Sequence, residues 1–318
     1  MILTVTLNPS VDHALFVEKL ELHDTNRVKR TERDAGGKGV NVARVAAELG
    51  AEVLATGLLG GGPGAYVRSV LDAQGVKHDF VEITGETRIN FSVEDRSGEP
   101  PTTFNEPGPE VSAESFQELR GHCRRMKPDR GWICLGGSLP PGVPNNAFKT
   151  LITDSGEGST GIVLDADGEA FRLGLEAGPT FVKPNSKEAG RLLGKELQTV
   201  EDCIAAGREI LRFLKPKGSR EPMAVISRGA EGAVLVTTNH VFVGHSPKVE
   251  VNSTIGSGDS LIGGMLWAFE AGKSLEEALR WGLAAGAATA TTNGSEIARR
   301  PKVLELLEQS TVEMALNR

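Results

Sequence analysis

Residues 252–260 read NSTIGSGDS and run straight into 261–271, where apolar positions recur at helical spacing. Gly256 and Gly258 let the backbone curl until successive N–H groups converge on one point. That point lies at a helix N-terminus, where the dipole also favours an anion. Ser257 sits between the two glycines and Asp259 lies at the lip. A nest of this kind stabilises charge on a phosphoryl group in flight. A carboxylate beside it can take the proton of an attacking hydroxyl. Asp and Ser before a helix are also ordinary caps, so the same residues fit a purely structural role.

Four other segments carry residue types suited to this chemistry. Residues 34–44, DAGGKGVNVAR, place Gly36 and Gly37 before a helix start, so the chain can approach a ligand closely. Lys38 can then reach a phosphate as a point charge, and Asn41 suits sugar hydroxyls. A glycine turn with a solvated lysine is the plainer reading. Residues 183–188, KPNSKE, put Asn185 and Glu188 three apart at a helix start. There they could hold a magnesium ion through water, or form a capping box. Residues 227–232, SRGAEG, form a turn with Gly229 and Gly232 that could lie under a nucleotide after Ser227. Residues 135–142, LGGSLPPG, would present Ser138 at the carboxyl end of a core strand, where ligands bind in open α/β sheets. Other phosphate and acyl motifs fail. Leu261 stands where a dinucleotide fingerprint needs its third glycine, GGKG lacks the P-loop spacing, and Ser138 has no GxSxG around it.

The elements that must position these segments alternate. Strand-like apolar runs at 2–7, 53–59, 132–135, 161–164, 180–182 and 224–226 are interleaved with helical stretches such as 40–49 and 65–74. That is the pattern of a doubly wound, mostly parallel sheet, with 2–7 expected to run from edge to core. Residues 233–236 and 241–243 flank TTNH and suggest a late antiparallel hairpin. Two charged, β-prone stretches, 12–34 and 87–104, leave this rhythm and return to it; together they could form a small second sheet standing off the core as a lid. No internal repeat or linker divides the 318 residues, so one domain with a lid is expected.

Composition narrows the partners. A net charge of −7 argues against broad nucleic-acid or anionic-membrane binding, so any phosphate site must be a local basic pocket. Cys123, Cys134 and Cys203 are far apart with no metal-ligand spacing. The first residues, MILTVTLNPSVD, lack the pattern of a signal peptide. A cytoplasmic setting is expected.

Taken in chain order, six motifs resemble the phosphofructokinase B branch of the ribokinase superfamily. They are TLNPSVD at 6–12, AGGKGVNVAR at 35–44, GSLPPGV at 137–143, KPN..E at 183–188, SRGAEGA at 227–233 and GSGDS at 256–260. The resemblance spans essentially the whole chain. It implies a ribokinase-like α/β fold with helices on both sheet faces plus a small β lid, formed by about 12–34 and 87–104 and often a homodimer contact. It implies ATP as co-substrate, Mg²⁺ as cofactor and a sugar phosphate as acceptor. Asp12 and Asn41 would bind sugar hydroxyls beside Gly37 and Ser138, while Lys38, Arg88 and Arg27 would hold the phosphate already on the sugar. Lys183, Asn185, Ser227, Gly229 and Gly232 would line the nucleotide with Gly256 and Gly258. Gly256, Ser257 and Gly258 would form the anion hole beside Asp259, the base, with Asn185 and Glu188 near Mg²⁺. Ser257 and Ile255 stand where the family commonly has Ala and Val, small changes at backbone-driven positions.

TRIN at 87–90 and NEPGP at 105–109 look most like 1-phosphofructokinases. Fructose 1-phosphate is therefore the expected acceptor, with 6-phosphofructokinase or tagatose-6-phosphate kinase as alternatives. The near two-fold symmetry of the fructofuranose ring makes these hard to separate. A nucleotide- and sugar-binding sensor without turnover is the reading of a different class.

Overall fold

The computed structural model describes residues 1–96, 101–156, 158–214 and 220–315; residues 97–100 of the expected second lid stretch lie outside the described residues. The chain opens with β1 (Ile2–Thr6), leaves the core as the strand pair β2 (Ser10–Phe16) and β3 (Arg30–Gly36), and returns through α1 (Lys38–Glu48) to β4 (Val53–Leu59). Helix α2 (Gly61–Ala73) and short strands β5 (Lys77–His78) and β6 (Val81–Glu82) lead to β7 (Arg88–Glu94) and β8 (Thr102–Phe104). Strands and helices then alternate through α3 (Ala113–Met126), β9 (Arg130–Gly136), α4 (Ala147–Asp154), β10 (Ser159–Asp165), α5 (Gly168–Leu175), β11 (Phe181–Val182), α6 (Ser186–Leu193) and α7 (Val200–Leu211). The rest is β12 (Met223–Ser227), β13 (Ala233–Thr237), β14 (Val241–His245), α8 (Ser257–Glu270), α9 (Leu275–Ala290), α10 (Arg300–Leu307) and β15 (Thr311–Met314).

Ten of these strands form one path, β15-β14-β13-β12-β11-β10-β9-β1-β4-β5, with β6 also paired to β4. From β5 to β12 the pairing is parallel; β13, β14 and β15 add antiparallel strands at one edge. The expected doubly wound, mostly parallel sheet is thus borne out. All five residues of β1 are buried, because helices cover both faces of the sheet. Apolar side chains from α1, α2, α8 and α9 pack on one face, and those of α3, α4, α5 and α7 on the other. Each fully buried Leu, Ile or Val on these faces contributes about 1.5–3 kcal/mol.

The 2–7 run is not an edge strand. β1 lies inside the sheet between β4 and β9, and the chain goes first to β4, then back across to β9. That reversal opens a crevice beyond the carboxyl ends of β1 and β9. Helix α2 also starts earlier than its apolar periodicity suggests, inside the run GGGPG at 60–64. A Cβ on Gly60 would lie 2.3 Å from the Gly85 carbonyl oxygen and 2.5 Å from that of Ile83. Gly60, Gly61 and Gly64 leave room for the chain leading into β7, which is packed directly against them.

The two polar stretches contribute a separate four-stranded sheet, β3-β2-β7-β8. Asp12 in β2 sits in register beside Asp34 in β3 and Asn90 in β7. Among the described residues no helix is long and apolar enough to cross a membrane.

Candidate active site

Strands β9, β10 and β11 stop at the same level of the sheet, and their ends deliver the charges. Asp165 ends β10 at 2% exposure, and Lys183, at 4%, follows β11. A carboxylate this deep requires counter-charge. Lys38 Nζ donates to Asp165 Oδ1 at 3.1 Å, and Lys183 Nζ approaches the same oxygen to 3.7 Å. Burial alone would raise the Asp165 pKa, but Lys183 and then Lys38 hold it below the ordinary carboxylate range. Burial likewise lowers Lys38, but Asp165, then Asp259 and Glu188, more than reverse this. Asp165 Oδ2 is buried with no hydrogen-bond partner among the described residues.

Asp259 comes to this cluster from α8. Gly256 is the N-cap, with φ +75° and no side-chain cap, and the helix begins at Ser257. The first turn therefore includes Gly258 and Asp259, earlier than the expected start at 261, and Asp259 does not serve as a cap. N–H groups in a first turn have no intrahelical acceptor, so those of Gly258 and Asp259 are available to an anion. The Ser257 Oγ is buried and unpartnered in the same turn. Asp259 is 8% exposed, and its Oδ2 accepts a 2.8 Å hydrogen bond from Asn41 Nδ2. Burial, then the Asp165 charge, push its pKa up to about 6, against the pull of Lys38, the Asn41 hydrogen bond and Lys183. Asn41 reaches it because α1, capped by Gly37, packs beside α8. The Asn41 Oδ1 remains buried and unpartnered.

The opposite end of the crevice is built on hydrogen bonds. Asn8, just after β1, donates to Ser138 Oγ at 3.1 Å, joining the loops that follow β1 and β9 across the strand-order reversal. Arg88, at the start of β7, donates to the backbone oxygens of Asn8 and Glu106, both at 3.1 Å. Arg88 and Ser138 line one open cleft with Pro107 and Asn145. Nearby, Asp12 Oδ1 accepts from Ser10 Oγ at 2.8 Å and Asn90 Nδ2 at 2.9 Å. Gly36 is required here, since a Cβ on it would sit 2.3 Å from Asp12 Oδ2.

The third group lies past β11 and β12. Ser227 N–H donates to the Pro184 oxygen at 3.1 Å, which ties the 227–232 turn to the 183–188 segment. Gly229 opens a short 3-10 turn and Gly232 closes it, with Arg228 N–H donating to the Gly232 oxygen at 2.8 Å. Asn185 and Glu188 form the reciprocal capping box of α6, each side chain accepting from the other's backbone N–H at 2.8 Å.

The expected residues therefore assemble, with three adjustments. Lys38 donates to buried Asp165, whereas Arg88 donates to the backbone oxygens of Asn8 and Glu106, so the two cations are held by different partners. Arg27 is exposed in the connection between β2 and β3, apart from the described contacts of the site. Asn185 works as a helix cap, and among the described residues no cluster of three or more His, Cys, Asp or Glu forms a metal cage. Sequence reading missed Asp165, Asn8 and Asn90. For Asp165 a signal existed: it ends the apolar run GIVLD where strand ends carry ligands.

The pfkB family of carbohydrate kinases matches residues 5–302. The chain is similar to a 1-phosphofructokinase of Haloferax volcanii, 37% identical over 98% of this chain and 97% of the relative. A 1-phosphofructokinase of Borreliella burgdorferi is 33% identical over 91% of this chain and 92% of its own. Among solved structures, phosphofructokinase-2 from Escherichia coli in complex with substrates and products has a TM-score of 0.89 at 30% identity, covering 97% of this chain and 98% of that one.

Proposed function

The chain belongs to the pfkB family of carbohydrate kinases, and we propose that it transfers the γ-phosphoryl group of ATP to fructose 1-phosphate, giving fructose 1,6-bisphosphate. The observation that carries the mechanism is the Asp259 carboxylate, buried at the head of α8 with its pKa held near 6. A base tuned close to neutrality keeps most of itself ionised while retaining driving force for proton uptake. Asp259 takes the proton of the attacking sugar hydroxyl as its oxygen bonds to the γ-phosphorus. The bond from that phosphorus to the bridging oxygen breaks, and ADP leaves. The Gly258 and Asp259 N–H groups and the Ser257 hydroxyl face the charge on the transferred group. Asn41 holds Asp259 through its amide N–H and offers its free oxygen to a sugar hydroxyl.

Lys38, Lys183 and Asp165 set the electrostatics of transfer. The unpartnered Asp165 Oδ2 and nearby Glu188 fit Mg²⁺, which is commonly held by one or two carboxylates plus phosphate and water oxygens. When bound, Mg²⁺ draws charge from the phosphate oxygens. ATP lies along 183–188 and 227–232. Arg88, whose buried Nε is unpartnered, takes the phosphate already on the sugar, with Ser138 beside it. Asp12 and Asn90 take ring hydroxyls. The small sheet closes over the sugar as a lid and excludes water. Phe104 on β8 and, in the β2–β3 connection, Leu22 and Val28 are exposed apolar residues, 59%, 75% and 43%, that pairing with a second copy would cover. A cytoplasmic setting, with its supply of ATP, fits this reading.

The second reading, a 6-phosphorylated ketohexose bound the other way round, rests on the structural likeness to phosphofructokinase-2. The deciding experiment is ADP release with Mg·ATP against fructose 1-phosphate, fructose 6-phosphate, tagatose 6-phosphate, fructose and ribose. Fructose 1-phosphate should give the highest kcat/KM. A preference for an unphosphorylated sugar, or no turnover with any of the five, would refute the assignment.

A further inference from the structure

Arg44 belongs to the AGGKGVNVAR motif, yet it touches none of the reacting groups. It is 2% exposed, among the largest fully buried side chains of the protein. Its guanidinium makes four hydrogen bonds: Nη2 to Asp34 Oδ1 and Oδ2, both at 2.7 Å, Nη1 to the Ala35 oxygen at 2.8 Å, and Nε to Gln74 Oε1 at 2.8 Å. These acceptors belong to two elements other than its own helix. Asp34 and Ala35 end β3 of the small sheet, and Gln74 is the C-cap of α2. Helix α2 holds the same strand a second time, through Tyr66 Oη donating to the Arg33 oxygen at 2.9 Å.

The bonds span the segment that carries residues of both ends of the site. Between Asp34 and Arg44 lie Gly36, against which the Asp12 carboxylate rests, Gly37, Lys38 and Asn41. Removing a guanidinium from water is unfavourable, and replacing a whole buried ion pair such as Arg44–Asp34 by well-packed apolar residues is often neutral or stabilising. An apolar residue could not fix both ends of this loop at defined distances. The planar guanidinium, with Nη2 on both Asp34 oxygens, Nη1 on Ala35 and Nε on Gln74, also fixes three directions at once, which a lysine would not. We infer that Arg44 is a positioning residue: it staples the end of β3 to α1 and α2, so that Asp12, on the small sheet, and Lys38 and Asn41, on the core, are presented to the sugar in one arrangement.

This inference rests on the sugar-kinase reading, and its test separates the two. Wild type, Arg44→Lys and Asp34→Asn are compared for KM of fructose 1-phosphate, KM of ATP, and ATP hydrolysed per sugar phosphorylated. Arg44→Lys keeps the charge and most of the volume but loses the fork; Asp34→Asn removes the bidentate acceptor from the other side and serves if the first variant fails to fold. Misplacing a substrate by about 1 Å costs up to ~10²-fold. The sugar KM should therefore rise on the order of tenfold in either folded variant, ATP KM should hold within about twofold, and more ATP should be hydrolysed without transfer. A purely structural role would lower the melting temperature and the active fraction while leaving both KM values and the coupling ratio at wild-type levels. That result overturns the inference with the kinase reading intact. A wild type that phosphorylates no sugar phosphate overturns both.

Discussion

At the end of the crevice where β10 and β11 stop, two carboxylates and two ammonium groups share a volume almost closed to water. Asp165, Asp259 and Lys183 are at most 8% exposed, and the Lys38 side chain is 31% exposed. At the other end Asp12, Asn90 and Arg88 are only partly buried and Ser138 is exposed, and they are held through hydroxyls, side-chain amides and backbone oxygens. The first region concentrates field, so each charge there shifts its neighbours' proton affinity. The second arranges donors and acceptors around a ligand, with the charges of Asp12 and Arg88 open to screening by water. Chemistry belongs where fields are strong, and recognition where geometry is exact but water still enters. Substitutions at the two ends should therefore fail in different ways.

The largest effect is expected at the buried end. Asp259→Asn should lower kcat by ~10²–10⁴-fold while ATP still binds, because a positioned general base contributes about that much. The same variant should be more stable. The folded-state pKa of Asp259 is raised from 3.8 to about 6, so the penalty of its charge is absent below the unfolded value and complete above about pH 6. A gain of roughly 1–3 kcal/mol at pH 8 that vanishes near pH 3.5 is the expected signature in thermal or denaturant unfolding. Loss of activity without that pH-dependent gain would mean that Asp259 is not a strained, buried carboxylate.

A smaller effect, of another kind, is expected at the hydrogen-bonded end. Arg88→Ala removes a charge-assisted contact of ~1.5–3 kcal/mol. The KM for fructose 1-phosphate should rise about ten- to a hundredfold, with ATP KM little changed, since that phosphate does not react and its binding is uniform between ground and transition states. A large drop in kcat at unchanged sugar KM would erase the division between the ends.

In both regions, what could be read from sequence was what lies close along the chain. Asp259, Lys38, Asn41 and Lys183 sit in short motifs, Lys183 just past a strand of the parallel sheet and the others in glycine-marked helix starts. Asp165 was missed because a lone aspartate closing a strand has no motif; its importance comes from two lysines arriving from elsewhere in the chain. Asn8 and Asn90 depend on pairings between residues 130 and 78 positions apart, which no local pattern encodes. Gly60, Gly61 and Gly64 follow the same rule, since the chain they admit lies at 83–87. Local chemistry was legible, but long-range contact was not. Asn185 and Glu188 mark the converse limit, where one spacing suits both a capping box, which is present, and an ion-binding pair.

The central claim is that Asp259 is the base and that burial beside Asp165 sets its affinity for the proton. The most direct measurement is the pH dependence of kcat/KM for fructose 1-phosphate, in wild type and in the residual activity of Asp259→Asn, over about pH 4.5–9 with stability checked at each point. Because the base must be ionised, wild-type activity should be level above pH 7. It should fall as pH drops through about 6, approaching tenfold per unit at the acid end. In Asp259→Asn that limb should be gone, leaving a low and flat residual rate. A wild-type plateau reaching below pH 5, or an acid limb unchanged in the variant, would contradict the account and assign the proton to another group.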